Sequence, residues 1–194
     1  MYMGDVKSKT FLDTNASSAT FVAAAARPTT TFTLAKTSFG TNTARKITAT
    51  TTGTSDNGKT ITIVGKDHNN EDATEVITLT GSAETSSGTT TAFLTITSAT
   101  VSAQPADNVS LGMTADVFGS VFQGRTRVRQ VNAESGGAIG SVLFRDGSLT
   151  GTALLTVRTG ATAGDINTVN IPQDGILYED RDWETKLFLL SFRL

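Results

Sequence analysis

The chain contains no cysteine. That excludes a disulfide framework, a thiolate nucleophile and any zinc site built on cysteine. It has a single histidine, His68, and no Gly-x-Ser-x-Gly elbow, so a serine–histidine–acid triad lacks its serine. Aromatic platforms are scarce, with one Trp and two Tyr, which leaves little on which sugars or bases could stack. There is no excess of positive charge: 16 Lys and Arg face 18 Asp and Glu, for a net charge of −2. A general nucleic-acid binder needs a basic balance to displace counterions from phosphates. No run reaches the about 18 apolar residues that cross a bilayer, and the opening MYMGDVKSKT lacks the charged and apolar regions of a signal peptide. The phosphate-cradling Gly-x-x-x-x-Gly-Lys, the dinucleotide fingerprint and His-Glu-x-x-His are likewise missing. The expectation is a protein that is not an enzyme, carries no cofactor or metal, and stays in a cytosol or is assembled there into something larger.

What is abundant is threonine, roughly a fifth of the chain, together with 18 glycines. Threonine is β-branched and polar, suited to the wet face of an antiparallel sheet, and glycine suits the turns between short strands. The 194 residues suffice for one large β domain or two small ones, and two is the better reading. The expected fold is all-β: two antiparallel sandwich or barrel-like units, at 31–115 and 116–194, preceded by an extended N-terminal arm at 1–30.

The strongest local signal is 59–82. Ile61 and Ile63 alternate with Thr60 and Thr62, Ile77 and Leu79 alternate with Thr78 and Thr80, and a polar tip lies between. This is a hairpin. In the arm, Thr20 to Arg27 reads as a short alanine-rich helix closed by Pro28. The rest of the arm is either frayed or docks on another subunit. Strand patterns run from Phe32 to Leu34, Lys46 to Thr51, Thr91 to Thr100 and Val109 to Leu111. Ala115 to Gly124 carries its apolar residues in adjacent pairs, which suggests a single helical turn or buried crossover between the units. Beyond it, Arg125 to Val131, Gly140 to Phe144, Ala153 to Arg158, Val169 to Pro172, Gly175 to Tyr178 and Trp183 to Phe192 are strand-like. The last places Leu187 and Leu189 on one face and Phe188, Leu190 and Phe192 on the other, so it is central in its sheet or covered by another subunit.

Three constellations deserve weighing. His68 beside Asp67, Glu71 and Asp72 reads as a solvent-facing turn residue, and the acidic tip lacks the central glycine and terminal bidentate carboxylate of a calcium loop. Arg125, Arg127 and Arg129 recur every second residue and would share one strand face, while Asp174, Glu179, Asp180, Asp182 and Glu184 crowd the C-terminal region. The stripe is a solvated face, a subunit contact through the planar guanidinium fork, or a phosphate site. Trp183, with Tyr178, is the one aromatic pairing that a carbohydrate site could use. No pair of carboxylates is singled out for glycoside chemistry.

Two segments resemble structural proteins of tailed bacteriophages. Ile61 to Thr80, with its Gly-Lys-Asp-His-Asn-Asn-Glu tip and the later Asn108-Val-Ser-Leu-Gly112, is similar to a virion module whose tip usually contains a glycine. Ser141-Val-Leu-Phe to Ile171-Pro-Gln-Asp-Gly-Ile-Leu-Tyr-Glu-Asp180 is similar to a short virion β domain ending in a hydrophobic strand, with Asp180-Arg-Asp-Trp183 replacing the usual glycine-containing turn. The resemblance implies a virion component without catalytic residues, foremost a capsid decoration or cement protein. Its partners would be the major capsid protein or neighbouring virion subunits, it would form a trimer or ring, and it would bind neither specific nucleic acid nor membrane. A tail-tube, neck or fibre component, or a carbohydrate-binding adhesin module, is the alternative. The contact residues expected on this reading are Arg125, Arg127, Arg129, Trp183, Phe188, Leu190 and Phe192.

Overall fold

The computed structural model describes residues 7–80, 88–121, 126–146, 148–172, 175–178 and 188–193, the last stretch by its backbone. The described chain is all-β, with thirteen strands and, among the described residues, no helix. The hairpin forms as its alternation predicts. Strands β3 (Thr60–Asp67) and β4 (Asp72–Thr78) pair antiparallel over seven consecutive positions, with Ile61 opposite Ile77. Asn70, at φ 67°, takes the left-handed backbone that asparagine tolerates better than most residues.

The strand that organises the molecule lies elsewhere. β6 (Val109–Ser120) is the longest, at 12 residues. One of its edges pairs with β2 (Ala44–Thr51), from Thr51 opposite Val109 to Ala44 opposite Phe118. Its other edge is divided: β1 (Ser18–Ala26) takes the first half and β13 (Phe188–Arg193) takes Asp116 to Ser120. β6 therefore runs without a break through residues 115 and 116, where two units were expected to join. The helical turn or crossover expected from Ala115 is strand as far as Ser120. Adjacent apolar residues there mark a strand covered on both faces: Val117 and Phe118 are both buried, and they point to opposite sides. Residues 122–125 lie outside the described set.

The helix expected over Thr20 to Arg27 is also a strand. A helix so short is marginal in water, whereas the open edge of β6 satisfies the same backbone groups in a ladder and buries Val22 and Ala23. Gly112 permits the approach, since a Cβ there would stand 2.2 Å from the Ser18 carbonyl oxygen. Ser18–Ala26 of the expected arm thus lies on the chain's own sheet. The segment expected to open the strand series at Phe32 is instead a strap. It touches β5 (Ala92–Val101) through isolated bridges at Thr31–Thr100 and Ser38–Thr95, and it reaches β1 where Ala35 N–H donates to Val22 O at 2.8 Å.

The nine-stranded sheet has the order β10-β9-β13-β6-β2-β5-β3-β4, with β1 added on β6. Here β9 is Ser141–Asp146 and β10 is Ala153–Arg158. β2 and β5 share two register pairs, Arg45–Phe93 and Lys46–Ala92, the shortest pairing in the sheet. The main core fills the fold with Val22, Phe32, Phe39, Ile47, Ile61, Phe93 and their neighbours. A separate and smaller cluster of Val121, Val128, Val131, Ala133, Phe144 and Val157 lies beyond β6.

Candidate interaction surface

The small unit beyond β6 is built from two further strand pairs. β7 (Thr126–Val128) pairs with β12 (Ile176–Tyr178), and β8 (Gln130–Glu134) pairs with β11 (Ile166–Asn170). The single strand expected from Arg125 to Val131 is interrupted at Arg129, whose carbonyl accepts from Ile171 N–H at 2.9 Å. The interruption changes the phase of the alternation. Val128 faces inward on β7, and Val131 and Ala133 face inward on β8, which leaves Arg127 and Arg129 exposed. Arg125 and the acidic residues Asp174, Glu179, Asp180, Asp182 and Glu184 lie outside the described residues, as does Trp183.

Phe188, Leu190 and Phe192 belong to β13, which is hydrogen-bonded on both edges. Leu190 is opposite Gly119 of β6 and Phe144 of β9, and Phe192 is opposite Val117 and Val142. The last strand is therefore central, one of the two placements that its apolar pattern allows.

At the far end of this unit two Gly- and Ala-rich loops, 135–140 and 159–165, are held together by Ser135. Its hydroxyl donates to Gly160 O at 2.7 Å, its N–H donates to Asp165 O, and its carbonyl accepts from Gly164 N–H. The bracing leaves large apolar side chains in water: Ile139 is 75% exposed, Ile166 beside the second loop 66%, and Leu154 on β10 42%.

The hairpin tip has a different character from the one expected. His68 is not solvent-facing: its side chain is 11% exposed, and its N–H donates to Ala92 O. Burial holds its imidazole below the usual histidine value, against the opposing pull of the Asp67 and Glu71 carboxylates. The ring lies 3.5 Å from the Asn69 amide and 4.0 Å from the Asp67 carboxylate. Asp67 Oδ1 accepts from Asn69 N–H and Glu71 N–H in an Asx turn, and Asp72 pairs with Lys66 at 3.0 Å. These carboxylates hold the turn together. Among the described residues no group of three His, Asp or Glu side chains stands in metal-ligating geometry. The tip docks on β6, where Ser120 Oγ donates to Asn69 Oδ1 at 2.6 Å and Lys9 Nζ donates to Ser120 O at 2.6 Å.

Two buried polar clusters escaped the sequence reading. Arg45 is fully buried and donates to Asp13 at 2.8 Å, to Asn15 O at 2.6 Å, and to Thr114 O and Ala115 O at 2.7 and 3.0 Å. Those last two carbonyls belong to a bulge in β6, where the register against β2 shifts between Arg45 and Ile47. Asp56, also fully buried, accepts from Lys59 Nζ, Ala106 N–H and Asp107 N–H at 2.7, 2.7 and 2.9 Å. Burial alone would raise its pKa, but Lys59 and the two N–H groups outweigh it and hold the carboxyl below the usual value. No local pattern marks Asp13 or Asp56 as buried, because Arg45, Ala106 and Asp107 lie 32, 50 and 51 positions away from the carboxylates they meet.

Comparison with protein-family models, with curated proteins and with solved structures finds no match to this chain.

Proposed function

We infer that the chain is a non-catalytic structural subunit of a tailed-phage particle, foremost a decoration or cement protein that binds the head shell and braces it. The observation that carries the reading is the imbalance of the small unit beyond β6. It buries six apolar residues, most of them still 5–9% exposed, yet leaves Ile139, Leu154 and Ile166 in water, and Arg127 and Arg129 of the same unit are exposed as well. A unit with so thin a core gains from a neighbour that covers it. Exposed arginine and large apolar side chains are both common components of a protein contact. The well-packed N-terminal fold would then serve as the support on which this contact face is carried.

The test is assembly. Arg127→Glu and Ile166→Asp leave the main core untouched, so both variants remain folded by circular dichroism while their binding to purified phage heads falls at least about tenfold, the loss of about 1.4 kcal/mol. Unimpaired binding by both variants would remove the contact face. Absence of wild-type binding, with quantitative mass spectrometry of particles placing the chain at neck-ring rather than shell stoichiometry, would remove the decoration role.

A further inference from the structure

The nine-stranded sheet ends on β4 at one side and on β10 at the other. Which backbone groups each edge presents follows from the bonds that frame its ladder. Leu79 N–H donates to Lys59 O at one end of the β3–β4 ladder and Asp67 N–H donates to Glu71 O at the other, with seven unbroken register pairs between them. Bonded and non-bonded pairs alternate in an antiparallel ladder, so the odd-numbered residues of β4 bond to β3. The N–H and C=O of Asp72, Thr74 and Val76 therefore point away from β3, and those of Thr74 and Val76 meet no partner among the described residues. On β10, Thr159 N–H donates to Gly140 O, and the same count turns the backbone groups of Thr156 and Arg158 away from β9. Arg158 O accepts from the Asn167 amide at 2.8 Å and keeps a second lone pair. Leu154, the extra residue of a bulge between Ala153 and Leu155, is 42% exposed.

We propose that β4 of one copy of the chain pairs antiparallel with β10 of a second copy, in the register that sets Asp72 opposite Arg158, Thr74 opposite Thr156 and Val76 opposite Leu154. Three features support it. The edges are complementary in charge: β4 carries only acidic residues, Asp72 and Glu75, and β10 only a basic one, Arg158. In this one register an opposite-charge pair, a threonine pair and an apolar pair fall together, each a favourable cross-strand combination. Val76 and Leu154, at 54% and 42% exposure, would cover each other. The faces also match. Asp72, Thr74 and Val76 lie exposed on β4 as Leu154, Thr156 and Arg158 do on β10, while Ile77 and Val157 are buried, so solvent face continues into solvent face and core face into core face. Pairing of like with like lacks this fit, since two β4 edges bring acid to acid and two β10 edges leave Arg158 without a countercharge. The present partner of Asp72 is Lys66 at 3.0 Å, an exposed pair that holds the carboxylate only weakly and stays beside it on β3. Because β4 and β10 close opposite ends of one sheet, the contact is head to tail, and it repeats into a ring where the rotation closes and into an open chain where it does not. The inference stands on the two edges and does not depend on the virion reading.

The test is charge reversal at exposed positions. Asp72→Arg and Arg158→Asp each set like charges across the junction, and circular dichroism checks that both variants fold. Sedimentation velocity of the wild-type chain from about 10 µM to about 1 mM shows association that grows with concentration. Each variant alone associates at least about tenfold more weakly. An equimolar mixture of the two regains the wild-type value, because the reversed β4 of one meets the reversed β10 of the other. A wild-type chain that stays monomeric at about 1 mM, single variants that associate as the wild type does, or a mixture that stays apart overturns the proposal. Should a reversed variant misfold, thiols decide the matter, since the chain has no cysteine of its own. Cα atoms of a bonded antiparallel pair stand about 5.5 Å apart, within reach of a disulfide. Thr74→Cys mixed with Thr156→Cys and oxidised yields a between-chain link of positions 74 and 156, read by mass spectrometry. A yield no higher than that of Thr74→Cys mixed with Leu154→Cys, two residues out of register, overturns it.

Discussion

Replacing Asp13 by alanine strands a guanidinium that is wholly out of water. Arg45 would keep three carbonyl acceptors, from Asn15, Thr114 and Ala115, but lose the Asp13 countercharge. Both side chains of the pair are 0% exposed, so solvent cannot compensate, and breaking a buried pair from one side costs about 3–5 kcal/mol. Arg45→Met acts from the other side. It orphans the same three carbonyls and leaves the Asp13 carboxylate with its two bonds from Asn15, at a similar loss of about 3–5 kcal/mol. The double variant removes both charges, so what remains is chiefly the carbonyls' lost donors, about 3 kcal/mol, far short of the sum of the single changes. Urea unfolding of the four chains at neutral pH, followed by far-ultraviolet circular dichroism, measures the cycle. The reasoning is refuted if Asp13→Ala lowers stability by less than about 1 kcal/mol and the two changes add within about 0.5 kcal/mol, because the pair would then not be a desolvated unit.

Asp56→Ala should cost about 3 kcal/mol at neutral pH, since it leaves Lys59 and two backbone N–H groups without their acceptor. Because the folded carboxyl titrates below its unfolded value of about 3.9, this stabilisation is complete above that value and is lost as pH falls through the folded one. The urea midpoints of wild type and variant should therefore converge in acid, and a constant gap would contradict the assignment. Gly112→Ala drives a Cβ into the backbone of Ser18 and Ala19 and should cost about 1–3 kcal/mol, with hydrogen-exchange protection lost first in β1. Protection that falls evenly over the sheet would argue against this clash. For His68, whose folded pKa is depressed, stabilisation is complete above its unfolded value of about 6.5 and declines as pH falls toward the folded one. His68→Gln should remove that part of the pH slope, and an NMR titration of the single imidazole with its midpoint at or above about 6.5 would exclude it.

How far the candidate surface could be read in advance follows from the range of the interactions involved. Exposure of Arg127 and Arg129 was visible in the two-residue alternation about Val128, which is a local property. The break at Arg129 was not, because it depends on a partner strand ending and Ile171 reaching across. The exposure of Ile139 and Ile166 ran against their composition. Nothing within a loop says whether another loop will cover its isoleucine, and here Ser135 holds the two loops together while both side chains stay outside.

By itself the sequence determined that the protein would be all-β and that Ile61 and Ile63 would pair with the run around Ile77 in a hairpin. These follow from side-chain periodicity, threonine and glycine, which act over a few residues. Tertiary structure alone decided that Ser18–Ala26 is a strand rather than a helix, because the edge of β6 outbid a weak alanine propensity. It alone decided that β6 leads from the main core to Val121, the first member of the smaller one, and that Arg45 and Asp13, 32 positions apart, neutralise each other in the interior. A backbone donor or a buried charge is satisfied by whichever group the fold brings near, and that choice is written in the packing of distant segments.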